Sequence, residues 1–185
     1  MASSFKIDSF TAKLKNGGAL GSLFECELTG SKGTEFATAI GDFKFMCKGV
    51  TFPASTIEAA TVTYMGRPLQ IPGNRAAATL TTEIYNDERM EIRNHLESWM
   101  ERINSHKTNK RQSGFEAINS YTGTMEVRQL SKVGTATTKS YEFVDVWPSS
   151  SGEITLSWDT NDIQTFSVTW EFNYWKSRQS GAGYS

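Results

Sequence analysis

Between Thr165 and Tyr174 apolar and polar residues alternate without a break. Phe166, Val168, Trp170, Phe172 and Tyr174 fall on one face, and Thr165, Ser167, Thr169, Glu171 and Asn173 on the other. Period-two alternation of this length predicts one strand with a buried face, so the five apolar residues are core candidates. Just upstream, Ile154, Leu156 and Trp158 alternate with Glu153, Thr155 and Ser157. The turn-forming run Asp159-Thr160-Asn161-Asp162 separates the two segments, and together they predict a β-hairpin.

The same pattern recurs in shorter pieces. Phe24, Cys26 and Leu28 alternate with Glu25, Glu27 and Thr29; Phe43, Phe45 and Cys47 with Lys44, Met46 and Lys48. Val62 and Tyr64 alternate with Thr61 and Thr63; Leu80, Thr82 and Ile84 with Thr79, Thr81 and Glu83. Residues 124–130 and 140–147 complete about eight strands. One segment reads differently. From about Asp87 to Asn104, Ile92, Leu96, Trp99 and Ile103 recur at helical spacing and form an apolar stripe. Asn86 or Asp87 can cap this helix, and Glu88 and Glu91 suit the positive end of its dipole. Arg93 and Glu97 form an i, i+4 pair on its polar side. The expected fold is mainly β: two antiparallel sheets with one flanking α-helix.

The remaining segments predict loops at 30–41 and 105–122, an N-terminal arm at 1–18 and a flexible tail at 177–185. The chain of 185 residues is expected to be a single domain. It is long enough to bury roughly 70% of the surface its unfolded form exposes. Aromatic residues make up 12%, with five Trp and eleven Phe, and suit cores and interfaces. A formal net charge of −1 gives no global attraction for nucleic acid or an anionic membrane, and the longest basic stretch, Lys107 to Arg111, is short. Neither a signal-peptide-like start nor a run of roughly 20 apolar residues occurs, so no membrane anchor is expected. Two cysteines, Cys26 and Cys47, are too few for a disulfide scaffold and read as buried free thiols. Synthesis and assembly in a reducing cytoplasm follow from that reading.

A search for chemistry finds ordinary explanations. His95 borders the apolar stripe, and neither it nor His106 has a nucleophile or an orienting partner at triad spacing. The glycines at 17, 18 and 21 lack the Lys-Ser/Thr of a phosphate loop. Asp159 and Asp162 lack the glycine and distal glutamate of a calcium loop and read as turn residues. Glu88 and Glu91 read as a charged first turn, and Trp147-Pro148 as a strand end. No catalytic, metal or cofactor site is expected. A strand-rich chain without a catalytic set favours a structural role, because open sheets must cover or pair their edges.

The segments LFECEL, FKFMCKGVTFPASTIEAATVTYMGRPLQIPGNR and TLTTEIYNDERMEIRNHLESWM carry an ordered series. An aromatic strand ends at Cys47-Lys48, a turn follows at Pro53-Ala54, then come Gly66-Arg67, Ile71-Pro72-Gly73-Asn74-Arg75, Asn86-Asp87-Glu88 and Trp99. The closing segment VWPSSSGEITLSWDTNDIQTFSVTWEFNYW continues it. From about Leu23 to Trp175 the series resembles the tail tube proteins of T-even-type contractile-tailed bacteriophages, with departures at 30–41 and at both ends. The tubes of type VI secretion systems and pyocins look similar. The resemblance implies two antiparallel sheets wrapped into a barrel-like sandwich with an outer helix. It implies a virion protein that assembles in the host cytoplasm into six-membered rings stacked as the inner tube. Its expected partners are other copies of itself, the tail sheath, the baseplate and the tail terminator, with DNA passing through the lumen without specific binding. The polar face of Thr165, Ser167, Thr169, Glu171 and Asn173 is the expected lumen wall. The competing readings are a type VI-like or baseplate tube-initiating protein of the same fold, and a ligand-binding β-barrel.

Overall fold

The computed structural model of the chain describes residues 6–14, 17–30, 37–132, 137–159 and 161–179. Its elements are α1 (Ile7–Lys13), β1 (Phe24–Gly30), α2 (Ala37–Met46), β2 (Cys47–Thr51), β3 (Ile57–Tyr64), β4 (Arg67–Arg75), β5 (Leu80–Tyr85), α3 (Glu91–Ile103), α4 (Ile118–Tyr121), β6 (Gly123–Leu130), β7 (Thr137–Ser151), β8 (Thr165–Glu171) and β9 (Tyr174–Gln179). The fold is mainly β, and every strand pairing among the described residues is antiparallel.

Seven strands form one sheet: six follow the path β1-β6-β7-β8-β5-β2, and β9 is added on β7. The long strand β7 divides this path into two halves. Its N-terminal part, to Val146, lies between β6 and β9; its C-terminal part, Trp147–Ser151, pairs with β8. The expected two sheets are therefore halves joined through one continuous strand. They do not close into a barrel, because β1 and β2 remain at the two ends of the path. Strands β3 and β4 form a separate two-stranded ribbon.

Alternation assigns the core. Cys26, Leu28, Met125, Val127 and Phe143 come from the β1-β6-β7-β9 half; Leu80, Ile84, Phe166, Val168 and Trp170 come from the β2-β5-β8-β7 half. Trp170 is the centre. Phe43 of α2 meets it edge-on with ring centroids 6.1 Å apart, and Trp99 of α3 lies 6.1 Å away. Its Nε1 donates to Thr82 Oγ1 at 2.8 Å, which satisfies a hydroxyl with no solvent access.

The α3 stripe packs as the helical spacing expects: Ile92, Leu96 and Trp99 are buried and Ile103 is half-buried against the core. Its start differs. The helix begins at Glu91, after Met90 adopts a left-handed backbone with φ 53°. The N-cap is Met90, not Asn86 or Asp87, and makes no side-chain cap hydrogen bond; Asp87 Oδ1 accepts from the Glu91 amide at 2.9 Å from the turn ahead of the helix, where Glu88 also lies.

Six segments depart from the sequence reading. Residues 43–46, expected to be strand, end α2. A helix places Phe43 and Cys47 on one side and leaves Phe45 78% exposed, a pattern that three alternating apolar residues cannot exclude. The loop expected at 30–41 accordingly turns helical from Ala37; residues 31–36 lie outside the described set. The hairpin of 153–158 with 165–174 does not form. Both sides of β8 are already paired, with β5 and β7, so no edge is left for residues 153–158. The strand expected to run through Tyr174 stops at Glu171 and restarts as β9, which extends to Gln179, so the expected tail at 177 is strand; residues 180–185 lie outside the described set. Tyr174 is consequently not core: it is 48% exposed, because the corner at 172–173 turns it away from the face it would have shared. Phe172 is half-buried and packs on Phe143, ring centroids 5.1 Å apart. The arm expected at 1–18 contains α1, none of whose residues is buried. The long connection at 105–122 carries the short α4.

Candidate functional site

The surfaces available for assembly follow from the sheet register. On the outer side of the β2-β5-β8-β7 half, Thr51 stands beside Thr81, Thr81 beside Thr169, and Thr169 beside Ser150. The next row carries Gly49, Glu83 and Ser167, and Thr165 pairs with Tyr85. This face is a wall of hydroxyls. Glu83 is partnered: Lys48 Nζ donates to its Oε1 at 2.8 Å. That hydrogen bond and the lysine charge hold the Glu83 carboxyl below its usual range, and Lys48 is raised in return. Thr165, Ser167, Thr169 and Glu171 share the outer side of β8, opposite the buried Phe166, Val168 and Trp170. Asn173 does not join them. It sits at the corner between β8 and β9, where its amide Nδ2 donates to Asp145 Oδ2 at 2.8 Å.

Asp145 marks the matching corner of β7. Its φ is 58°, a left-handed backbone that Asp tolerates better than most residues. The Thr122 hydroxyl donates to its Oδ1 at 3.4 Å, and the Asn173 backbone amide donates to the Val144 carbonyl at 3.1 Å. Both strands therefore bend together, which moves β7 from one half to the other and lets β9 return along its first part.

The outer side of the β1-β6-β7-β9 half is charged instead. One row runs Glu25, Arg128, Ser140, Arg178; the next runs Glu27, Glu126, Glu142, Lys176. Arg128 gathers three carboxylates, with Glu126 at 3.0 Å, Glu25 at 3.5 Å and Glu27 also paired, and Lys44 of α2 adds a contact to Glu25 at 3.0 Å.

Two apolar features project into solvent. Every residue of β3 and β4 is exposed. The ribbon register puts Ala60 beside Ile71 and Val62 beside Leu69 on one face, with Thr61 beside Gln70 on the other. Residues 153–158 and 162–165 curl around an open concavity of about 630 Å³, with Leu156 and Trp158 exposed on its wall. The alternation at 61–64 pointed to β3, but nothing in it distinguished a core strand from a projecting one. The alternation at 153–158 is real, yet within this chain it meets no sheet.

The cysteines are unlinked. Cys26 and Cys47 are both buried. The hydrogen bond between them, and then burial, push the Cys26 thiol well above the ordinary thiol range, while the same hydrogen bond lowers the Cys47 thiol. Among the described residues, no helix is long and apolar enough to cross a membrane.

Comparison with known proteins agrees with this architecture. The family described as phage tail tube protein matches residues 6–178. The tail tube protein gp19 of Enterobacteria phage T4 is 33% identical over 136 residues, 73% of this chain and 82% of the relative. The corresponding protein of Enterobacteria phage T6 matches equally, at 33% over the same lengths. Among solved structures, a chain of the PVC sheath–tube complex, an extracellular contractile injection system in its extended state, superposes with a TM-score of 0.63 at 13% identity, covering 91% of this chain and 97% of that one. A chain of the anti-feeding prophage baseplate gives 0.64 at 9% identity, covering 89% and 97%. These structural likenesses establish the fold, and the sequence matches establish the kinship: the chain belongs to the phage tail tube protein family, the structural subunits of contractile phage tails.

Proposed function

We propose that six copies close into a ring, that rings stack into the hollow inner tube of a contractile tail, and that the hydroxyl face of the β2-β5-β8-β7 half lines the channel. The observation that carries this reading is the contrast between the two sheet faces. One outer side bears rows of Glu, Arg and Lys, while the other bears Thr51, Thr81, Thr165, Ser167 and Thr169 with Glu83 and Glu171 as its carboxylates. Duplex DNA carries about one charge per 1.7 Å. A conduit must let it slide, and a solvated wall without a free basic row gives phosphates nothing to grip. Lys48 stands beside this face, and Glu83 pairs with it. DNA then passes without specific binding.

Ring closure also resolves the open edges. The β2 end of the path and the side of β7 at residues 147–151 left unpaired among the described residues can each find a partner in a neighbouring copy, and pairing edges is how open sheets avoid uncontrolled association. The charged face is left for contacts outside the channel, with the sheath as the natural partner and the baseplate and terminator at the tube ends. The whole chain acts as a single tail-tube domain, assembled in the host cytoplasm.

The test is Thr169→Lys. One added lysine per subunit builds basic girdles that attract phosphate. Electron microscopy is expected to find rings and tubes as in the parent, while genome ejection slows. If Thr169→Lys prevents ring formation outright, this face is an interface between subunits and the channel assignment fails.

A further inference from the structure

The β3–β4 ribbon ends in a stiff apolar knob. Tyr64 pairs with Arg67, which leaves Met65 and Gly66 as a two-residue turn. Their φ values are 47° and 78°, the positive pair expected of a type I′ hairpin turn. Such turns favour Asn, Asp or Gly at the first position, because a left-handed backbone strains a residue with a bulky Cβ substituent. Here the position holds a methionine that is 87% exposed, next to an exposed tyrosine. A strained residue displayed in water points to a use.

The concavity around residues 153–165 has the complementary character. Ile154, Leu156, Trp158 and Ile163 supply apolar wall, and Glu153 and Asp162 lie on its lining. Residues 153–163 contain three acids, Glu153, Asp159 and Asp162, and no base. Residues 57–75 of the ribbon contain two bases, Arg67 and Arg75, against the single acid Glu58. Knob and hollow thus match in polarity and charge.

We propose that the 64–67 tip of one copy seats in the hollow lined by residues 153–158 and 162–165 of a neighbouring copy. Met65 and Tyr64 lie against Leu156 and Trp158, and Arg67 faces Glu153 and Asp162. The identity of the partner as a second copy rests on the ring-and-tube reading above. Charge complementarity selects the hollow, because the acidic segment faces a basic ribbon tip. The flexible thioether of Met65 suits an irregular hollow with an aromatic wall. Two different surfaces of the same chain meet, so the contact is heterologous and propagates from copy to copy, closing a ring or extending a stack.

The experiment uses the full chain carrying Met65→Cys and Leu156→Cys together, assembled into tubes, oxidised with copper phenanthroline and run on a non-reducing gel. The expected result is a ladder of covalent multimers that collapses to monomer on reduction, and monomer alone from each single variant. A ladder ending at six places the contact within a ring, and a longer one places it between rings. Independently, Asp162→Arg is expected to raise the concentration needed for assembly at least tenfold, and adding Arg67→Glu to restore it. These positions are exposed, so the thermal unfolding of the dilute chain stays unchanged. Tubes that form normally without a ladder, together with a charge swap that rescues nothing, overturn the knob-and-hollow contact and leave the tube reading standing. A parent chain that forms neither rings nor tubes overturns the tube reading itself.

Discussion

Replacing Trp99 by alanine tests how the flanking helix is anchored. Trp99 is buried, and its ring stands beside Trp170 at the centre of the core. Its Nε1 donates to the Tyr121 carbonyl at 2.7 Å, tying α3 to the end of α4. Removing a buried tryptophan side chain costs about 3–5 kcal/mol through lost burial and the cavity left behind. Stripping the Tyr121 carbonyl of this donor adds about 1 kcal/mol. At roughly 2–4 °C per kcal/mol for a chain of this size, the sum lowers the melting temperature by roughly 10–20 °C. The assay is thermal unfolding of the dilute, unassembled chain by near-ultraviolet circular dichroism. Trp158→Ala is the matched control: the same side chain is removed from a fully exposed position, and the dilute chain should change by less than about 0.5 kcal/mol. A Trp99→Ala chain melting within about 3 °C of the parent would refute the anchoring of α3 through this residue.

Two further outcomes check the packing. Replacing Cys26 and Cys47 together by alanine should leave assembly intact and cost at most about 2 kcal/mol by denaturant unfolding; recovery of a Cys26–Cys47 disulfide from thiol-blocked assemblies would contradict the reading of unlinked, buried thiols. Gly152→Ala should destabilise the chain by about 1–3 kcal/mol, because a Cβ there would stand 2.4 Å from Ser167 Oγ and 2.9 Å from its carbonyl oxygen; a chain as stable as the parent in the same titration would show that the strands can part without cost.

The sequence made some elements legible because their side chains answer to a local rule. The stripe of α3 and the buried face of β8 are set by periodicity, and Ile92, Leu96, Trp99, Phe166, Val168 and Trp170 are all buried. What periodicity lacks is the identity of the partner. It reports that Ile154, Leu156 and Trp158 want a sheet, but not that β8 has no free edge to give them. It also reads Phe43, Phe45 and Cys47 as a strand, although only the tertiary position of Trp170 decides that Phe43 arrives on a helix. The corner at Asp145 and Asn173 is hidden for a similar reason: alternation runs through Glu171 to Tyr174 unbroken, and the bend depends on hydrogen bonds to a strand far away in sequence. The set expected to face a lumen loses Asn173 from the shared face of β8 for that reason. The hydroxyls of Thr165, Ser167 and Thr169 follow from alternation, while their neighbours Thr51, Thr81 and Ser150 emerge only with the register.

The shared strand β7 has a mechanical consequence. At about 3.4 Å per residue, its run from Thr137 to Ser151 would span roughly 50 Å if straight, and it crosses from the charged half to the hydroxyl half without a break. Force applied to the outside of such a subunit therefore need not cross the apolar layer, where only dispersion contacts resist sliding. It travels along a covalent backbone, around the Asp145 corner, and into the hydroxyl-bearing half. A tube driven forward by a contracting sleeve would then load each subunit along a spar rather than across a seam.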